Sequence, residues 1–370
     1  MASTILGICA IFATLNLWNT YNLDLRSQVN HPFLEEQVSQ SKSSEGMQWG
    51  GLPPRLSPEE ITKKAHALIV GAMVGDAAAA GVDGLSIYGE RNRNGRSYAL
   101  EFMNPQIGPF CDGKAGDLSP VGEEAFSLLK AVAAAGGFDP AISARVSFED
   151  ASWSDRRLSN VMIEFLNRYR QGYRYPFTGW DSFEANSMAK AIALTALYAG
   201  RPELEETVRQ ATAIHQSNKI AADAAVMGAK FLEGILLGYS PTEALELCTS
   251  TQEDSYIVNW ASALKRFSSM NWSCIEGTYH LGKGCYMPST IQTALHCSLV
   301  SRGYEDGIRN AIDAGGCVST RAMFVGAFNA VRDGVESVPN SWKEKVTKYS
   351  NIANLTQILV DIKVHLQGSR

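Results

Sequence analysis

The chain has 370 residues, of which 45% are hydrophobic, 9% aromatic and 19% charged, enough apolar material for a large buried core. This composition excludes disordered and fibrous classes. Its 33 basic and 38 acidic residues give a net charge of -5, which leaves no extended positive field for nucleic acid or an anionic membrane.

From the N-terminus, Ile5 to Trp18 form one apolar run with the length of a signal-peptide core but short of the ~20 residues of a membrane span. No Lys or Arg precedes it and no small-x-small cleavage site follows it, so a cytoplasmic location is favoured over a secreted one and no stable membrane span is expected. Asn22 to Pro54 is polar and punctuated by Pro and Gly, which reads as linker. The expected division is an apolar leader and flexible linker over 1–55 and one all-α domain over 56–370.

Ser57-Pro58-Glu59-Glu60 is a helix start, with an N-cap serine, a first-turn proline and a capping-box glutamate. The helix runs on to about Ala80. Apolar periodicity then predicts helices over Glu123–Ala135, Leu158–Arg168, Ser182–Tyr198, Glu203–Gln216, Asn218–Leu237, Pro241–Cys248, Tyr256–Met270, Thr290–Ser301, Tyr304–Ala314 and Arg321–Asp333. No strand-helix-strand rhythm and no fixed repeat intervene, so the fold class is a single compact globular multi-helix domain. Seven cysteines at wide spacings contain no CxxC and no paired Cys/His cluster, which argues against structural zinc and for buried or free thiols.

Four segments interrupt the apolar helices with Gly, Asp and small polar residues. Gly71 to Ala77 buries Asp76 on an Ala/Gly face, where an acid is costly unless it is hydrogen-bonded, at a site or capping a neighbouring helix. The loop from Gly108 to Glu124 enters a helix whose N-terminal N–H groups suit an anion. Tyr175 to Asp181 leads into a helix that Asp181 or Ser182 would cap. Asp313 to Arg321 places Gly315-Gly316 before Cys317, Ser319 and Thr320 at a helix start, a setting for close approach to a phosphate or metal. His215 and His296 read as packed or capping residues rather than ligands.

Taken in order, Gly71–Ala77, Gly122-Glu123-Glu124-Ala125, Thr178-Gly179-Trp180-Asp181 before Glu184-Ala185-Asn186, Ala314–Ala322, Val325-Gly326-Ala327, Val338-Pro339 and Trp342 form a pattern that resembles the ADP-ribosylglycohydrolase family, closest to the branch of the J crystallins and selenoprotein J. The resemblance spans about Thr62 to Trp342. It implies an all-α domain of that type, a dinuclear Mg2+ site, and ADP-ribose or an ADP-ribosylated small molecule or protein as partner. It further implies Asp76 and Asp83 as catalytic acids, Gly108, Gly122, Asp181, Gly315, Gly316, Cys317 and Ser319 as substrate-binding positions, and Thr320 as a metal ligand.

The chain departs from the family where the ligands stand. The family's early Thr-Asp-Asp-Thr is Ser119-Pro120-Val121-Gly122 here, and its late Gly-Gly-Asp-Thr-Asp-Thr is Gly315-Gly316-Cys317-Val318-Ser319-Thr320. Four carboxylates are replaced by residues that cannot supply hard oxygen donors to magnesium. Three functions stay open: a hydrolase of an ADP-ribose glycosidic bond, a non-catalytic crystallin-like protein or ADP-ribose-binding module, and thiol chemistry at Cys317, for which the sequence displays no resolving partner.

Overall fold

Ser57 opens the first described helix, α1 (Pro58–Ala79), as the sequence predicts: its hydroxyl accepts from Glu60 N at 3.3 Å and the Glu60 carboxylate accepts from Ser57 N at 2.9 Å. From Ala67 to Val82 every residue is buried. A helix apolar all round belongs inside a bundle rather than on its surface, and α1 is the central element of this one.

The computed structural model describes residues 51–85, 99–250 and 255–368. The apolar run 5–18, most of the linker and Cys9 lie outside the described residues. The described part begins at Gly51 within a compact unit running from Gly50 to Arg370. Its first residues are docked: Arg55 N donates to Leu237 O at 2.9 Å and the Tyr239 hydroxyl donates to Pro53 O at 2.9 Å.

After α1 come α2 (Pro120–Ala135), α3 (Pro140–Ser152), α4 (Asn160–Arg170), α5 (Met188–Tyr198), α6 (Leu204–His215), α7 (Lys219–Leu236) and α8 (Pro241–Ser250). They are followed by α9 (Ser255–Ser268), α10 (Cys274–Leu281), α11 (Ser289–Val300), α12 (Tyr304–Asp313), α13 (Val318–Asp333), α14 (Asn340–Lys343) and α15 (Tyr349–Gly368). No strand occurs among the described residues; Trp180 with Gln216 and Glu184 with Tyr286 form isolated bridges. The architecture is all-α.

Helix α13 packs along α1 more extensively than any other pair of elements. Glycines allow it: a Cβ on Gly71 would stand 2.4 Å from Gly326 O, and one on Gly75 would stand 2.6 Å from Ala322 O. Helices α5, α12 and α15 also contact this pair, α7 bridges α5 and α13, and a smaller apolar cluster joins α3, α4 and α6 through Ala144, Phe165 and Ile214.

Among the described residues four helices fall outside the sequence expectation: α3, α10, α14 and α15. Two starts also move. Helix α2 begins at Pro120 because Ser119 is the N-cap, its hydroxyl accepting from Gly122 N at 3.0 Å. Helix α5 begins only at Met188, after a short 3-10 turn over Ala185–Ser187, so neither Asp181 nor Ser182 caps it. The expectation of unpaired thiols is corrected in one place: Cys274 and Cys297 form a disulfide joining α10 to α11, while Cys111, Cys248, Cys285 and Cys317 are free.

Candidate functional site

The C-terminal end of α1 meets the N-terminal ends of α2 and α13, the two helix starts that carry the replaced motifs. An α-helix begins with backbone N–H groups that lack intrahelical acceptors, and an acid placed there satisfies them and the helix dipole together.

Asp76 sits fully buried on the last turns of α1 and reaches α2. Ser119 N donates to its Oδ2 at 2.8 Å and the Ser119 hydroxyl donates to its Oδ1 at 2.6 Å. Gly122 presses against the same carboxylate, since a Cβ there would stand 1.9 Å from Asp76 Oδ2. Burial pushes the Asp76 carboxyl up to about 7, against the lowering effect of the Ser119 hydrogen bonds.

Asp83 follows the 3-10 turn Ala80–Val82 and reaches α13. Its Oδ1 accepts from Val318 N at 2.8 Å and from Ser319 N at 3.1 Å. The N-cap residue of α13, Cys317, makes no side-chain capping bond, so Asp83 does that work from another part of the chain. Burial raises the Asp83 carboxyl, opposed by those N–H groups and by the Arg321 guanidinium. Gly108 lies against the Asp83 backbone, where a Cβ would meet its carbonyl oxygen at 2.6 Å, and donates to Gly81 O at 2.9 Å.

Gly315 and Gly316 have φ of 73° and 77°, the left-handed region that glycine enters without strain. That turn makes Gly316 a junction: its carbonyl accepts from Gly84 N at 2.9 Å, its N–H donates to Leu85 O at 2.8 Å, and Cys317 N donates to Lys283 O at 3.0 Å. Thr320 is buried and its hydroxyl accepts from the Cys317 thiol at 3.7 Å. The Ser319 hydroxyl is buried without a partner.

Thus Asp76, Asp83, Gly108, Gly122, Gly315, Gly316, Cys317, Ser319 and Thr320 gather around one three-helix junction. Asp181 acts elsewhere: exposed, it accepts at Oδ1 from the Asn218 amide at 2.7 Å, and Asn218, the N-cap of α7, accepts from Ile220 N at 2.9 Å. Three acids singled out from the sequence therefore support three helix N-termini. His215 is buried with neither ring nitrogen hydrogen-bonded, edge-on to Phe165 at 4.6 Å. His296 Nε2 lies 3.1 Å from Ser273 O.

Several buried polar residues escaped sequence reasoning. Glu124 accepts from Lys190 Nζ at 2.8 Å, the Asn186 amide at 2.5 Å and the Ser159 hydroxyl at 2.7 Å, a charged network that fixes α2 against α5 and the start of α4. Arg321, fully buried in α13, donates to Ala311 O at 3.0 Å and Gly315 O at 2.9 Å, answering the open carbonyls at the end of α12. A charge inside the apolar run that follows Thr320 was the available signal for Arg321.

The Cys317 side chain and burial hold the Cys285 thiol far above its ordinary value, which disfavours its thiolate. A cavity of about 340 Å³ opens along α2, lined by Glu123, Glu124, Ser127, Trp153 and Arg156, but neither Asp76 nor Asp83 lines it.

The donor set does not fit magnesium. Both oxygens of Asp76 and one of Asp83 already accept protein hydrogen bonds, Ser119, Cys317, Ser319 and Thr320 add only hydroxyls and a thiol, and Glu123, the carboxylate in the first turn of α2, is held by Lys348 Nζ at 2.6 Å. Among the described residues no group of three or more His, Cys, Asp or Glu stands where it could hold a metal ion. Hard divalent cations require carboxylate and carbonyl oxygens free to coordinate.

The ADP-ribosylglycohydrolase family profile matches residues 57–367. Crystallin J1A of Tripedalia cystophora is 26% identical over 326 residues, covering 82% of this chain and 98% of that protein. Crystallin J1B of the same animal is 25% identical over 313 residues, covering 78% and 93%. The solved structure of an ADP-ribosylglycohydrolase-related protein complex superposes with a TM-score of 0.63 at 20% identity, over 82% of this chain and 99% of that one, a likeness of fold.

Proposed function

This chain belongs to the ADP-ribosylglycohydrolase family, and we propose that it is a non-catalytic member, a durable protein of crystallin type that keeps the family's fold without its magnesium chemistry. One observation carries this reading. At the two helix starts where the family's metal carboxylates would stand, Asp76 and Asp83 are engaged by Ser119 and by the N–H groups of Val318 and Ser319. An acid held in this way stabilises the junction instead of presenting lone pairs to a cation. The similarity to crystallins J1A and J1B of Tripedalia cystophora supports the same direction.

The test is the thermal midpoint with Mg2+ and ADP-ribose, separately and together. A ligand that binds only the folded chain at 100 times its Kd stabilises by about 2.7 kcal/mol, so a millimolar ligand of even modest affinity is visible. The expected outcome is no shift in any arm. A joint shift larger than either alone would restore the hydrolase reading and call for a turnover assay on ADP-ribosylated substrates. A shift with ADP-ribose alone would replace both readings with a binding module.

A further inference from the structure

We propose that the cavity along α2 is a binding site for a neutral, hydroxyl-rich ligand of the size of one sugar ring. At about 340 Å³ it falls at the lower end of the roughly 300 to 1,000 Å³ occupied by small-molecule sites. It opens between α2, α3 and the segment joining α3 to α4, and none of the residues gathered at the three-helix junction lines it.

The charges in its wall are matched. Lys130 is paired with Asp150, Lys348 Nζ stands 2.6 Å from Glu123, and the Arg156 guanidinium stands 3.5 Å from Glu123 and 3.7 Å from Asp117. Glu124 is neutralised from behind by Lys190 at 2.8 Å, and at the rim Asp155 offsets Arg157. A wall balanced in this way holds no surplus charge to draw in a phosphate, a nucleotide or a metal ion. Its charged groups still carry hydrogen-bonding capacity beyond their ion pairs, since an ammonium has three donors and a carboxylate about four acceptor positions. A hydroxyl, donor and acceptor at once, can bridge them.

Ser127 lies one turn beyond Glu123 on α2, only 3% exposed, and its hydroxyl has no hydrogen-bond partner in the protein. The buried hydroxyls of Thr212, Ser298 and Thr356 donate to the carbonyl four residues back in their helices. That of Ser127 stays uncommitted where it meets the cavity, and a buried polar group without a partner is costly until something supplies one. Arg156 Nε is also buried without a hydrogen-bond partner, 3.9 Å from Asp112 Oδ1. Opposite in character is Trp153, the C-cap of α3, which is 87% exposed at the rim above the buried Phe126 and Met162. An indole held in water at the mouth of a cavity offers a flat apolar face. The C–H side of a sugar ring matches that face and leaves its hydroxyls for Ser127 and the charged groups. The site depends on neither the hydrolase reading nor the crystallin-type one.

The test is saturation-transfer NMR on the full chain with D-glucose, D-galactose and D-mannose, each as free sugar and as methyl glycoside, with ADP-ribose and inorganic phosphate as competitors. Transfer to the ring protons of at least one neutral sugar is expected, undiminished by either competitor. A methyl glycoside that binds as well as the free sugar would point to a glycan end as the ligand, and one that fails would point to the free sugar; either result sustains the site. Trp153→Ala should weaken binding about tenfold and Ser127→Ala about three- to tenfold. Circular dichroism confirms that each variant folds, and the exposed Trp153 keeps the test open if Ser127→Ala unfolds. Tyr279→Ala, which removes an exposed aromatic outside the cavity, should bind as the unaltered chain does. No transfer to any neutral sugar, transfer that survives Trp153→Ala undiminished, or displacement by ADP-ribose or phosphate would each overturn the proposal.

Discussion

The two helix starts at the junction are built differently. Helix α2 carries its own cap, Ser119, and Asp76 stands behind that cap as a second layer. Helix α13 has no side-chain cap of its own and leans on Asp83, 235 positions earlier. The first is a local device reinforced from a distance, the second a purely tertiary one. The same substitution at the two acids should therefore cost unequal amounts.

The largest separation is expected from alanine at each acid. Asp83→Ala strands the buried Ser319 N–H and leaves Val318 N only its tight-turn acceptor, Gly316 O at 2.8 Å, costing about 3 kcal/mol, whereas Asp76→Ala leaves the Ser119 cap on α2 and costs about 2 kcal/mol. Urea unfolding of both variants measures the difference, and equal losses would break the distinction. Gly122→Ala should cost about 2 to 3 kcal/mol, because its Cβ would fall 1.9 Å from a carboxylate oxygen that has nowhere to move. The same unfolding series reads it, and a neutral result would show α2 free to shift away from α1. Ser119→Ala removes the cap itself, for a loss of about 1 to 2 kcal/mol, and combined with Asp76→Ala it should be less than additive because the two groups share one hydrogen-bond network.

A further effect is graded by pH. Folded Asp76 holds its proton up to about pH 7, whereas the unfolded chain releases it near 3.8. Between those values the folded chain binds more protons, so this contribution is complete below the lower value and fades as pH rises, at no more than about 1.4 kcal/mol per pH unit. Asp76→Asn should flatten that decline while keeping an acceptor for Ser119 N. Glu233, also raised to about 7 by burial, leaves a residual slope that Glu233→Gln would remove. Unfolding free energies between pH 4 and 8 check both.

The contrast between near and far partners also explains what could be read beforehand. Helix α1 was legible because its capping box and proline lie within four residues. Asp76 stood out as an acid in an apolar run and Asp83 only through the family resemblance, and their partners lie 43 and 235 positions away, beyond any local pattern. Helix α15 was missed because its buried stripe includes Thr356 and Lys363, which dilute the apolar period. Helix α10 had a legible Ser273–Glu276 capping box but is only eight residues long. Helix α3 was missed because its buried residues, Ser143, Ala144, Ser147 and Ala151, are too small and polar to show an apolar period.

The pairing of α1 with α13 has a consequence for synthesis. Pro58–Val82 is long and apolar enough to cross a membrane, yet 94% of its most apolar window is buried inside the fold. The helix that covers it begins at Val318, roughly 240 residues later. At about 5 to 20 residues per second, the ribosome takes on the order of 10 to 50 s to deliver that partner. For that interval the nascent chain displays this apolar helix without its principal cover, so α1 stays open to a chaperone or a membrane-targeting factor until α13 emerges.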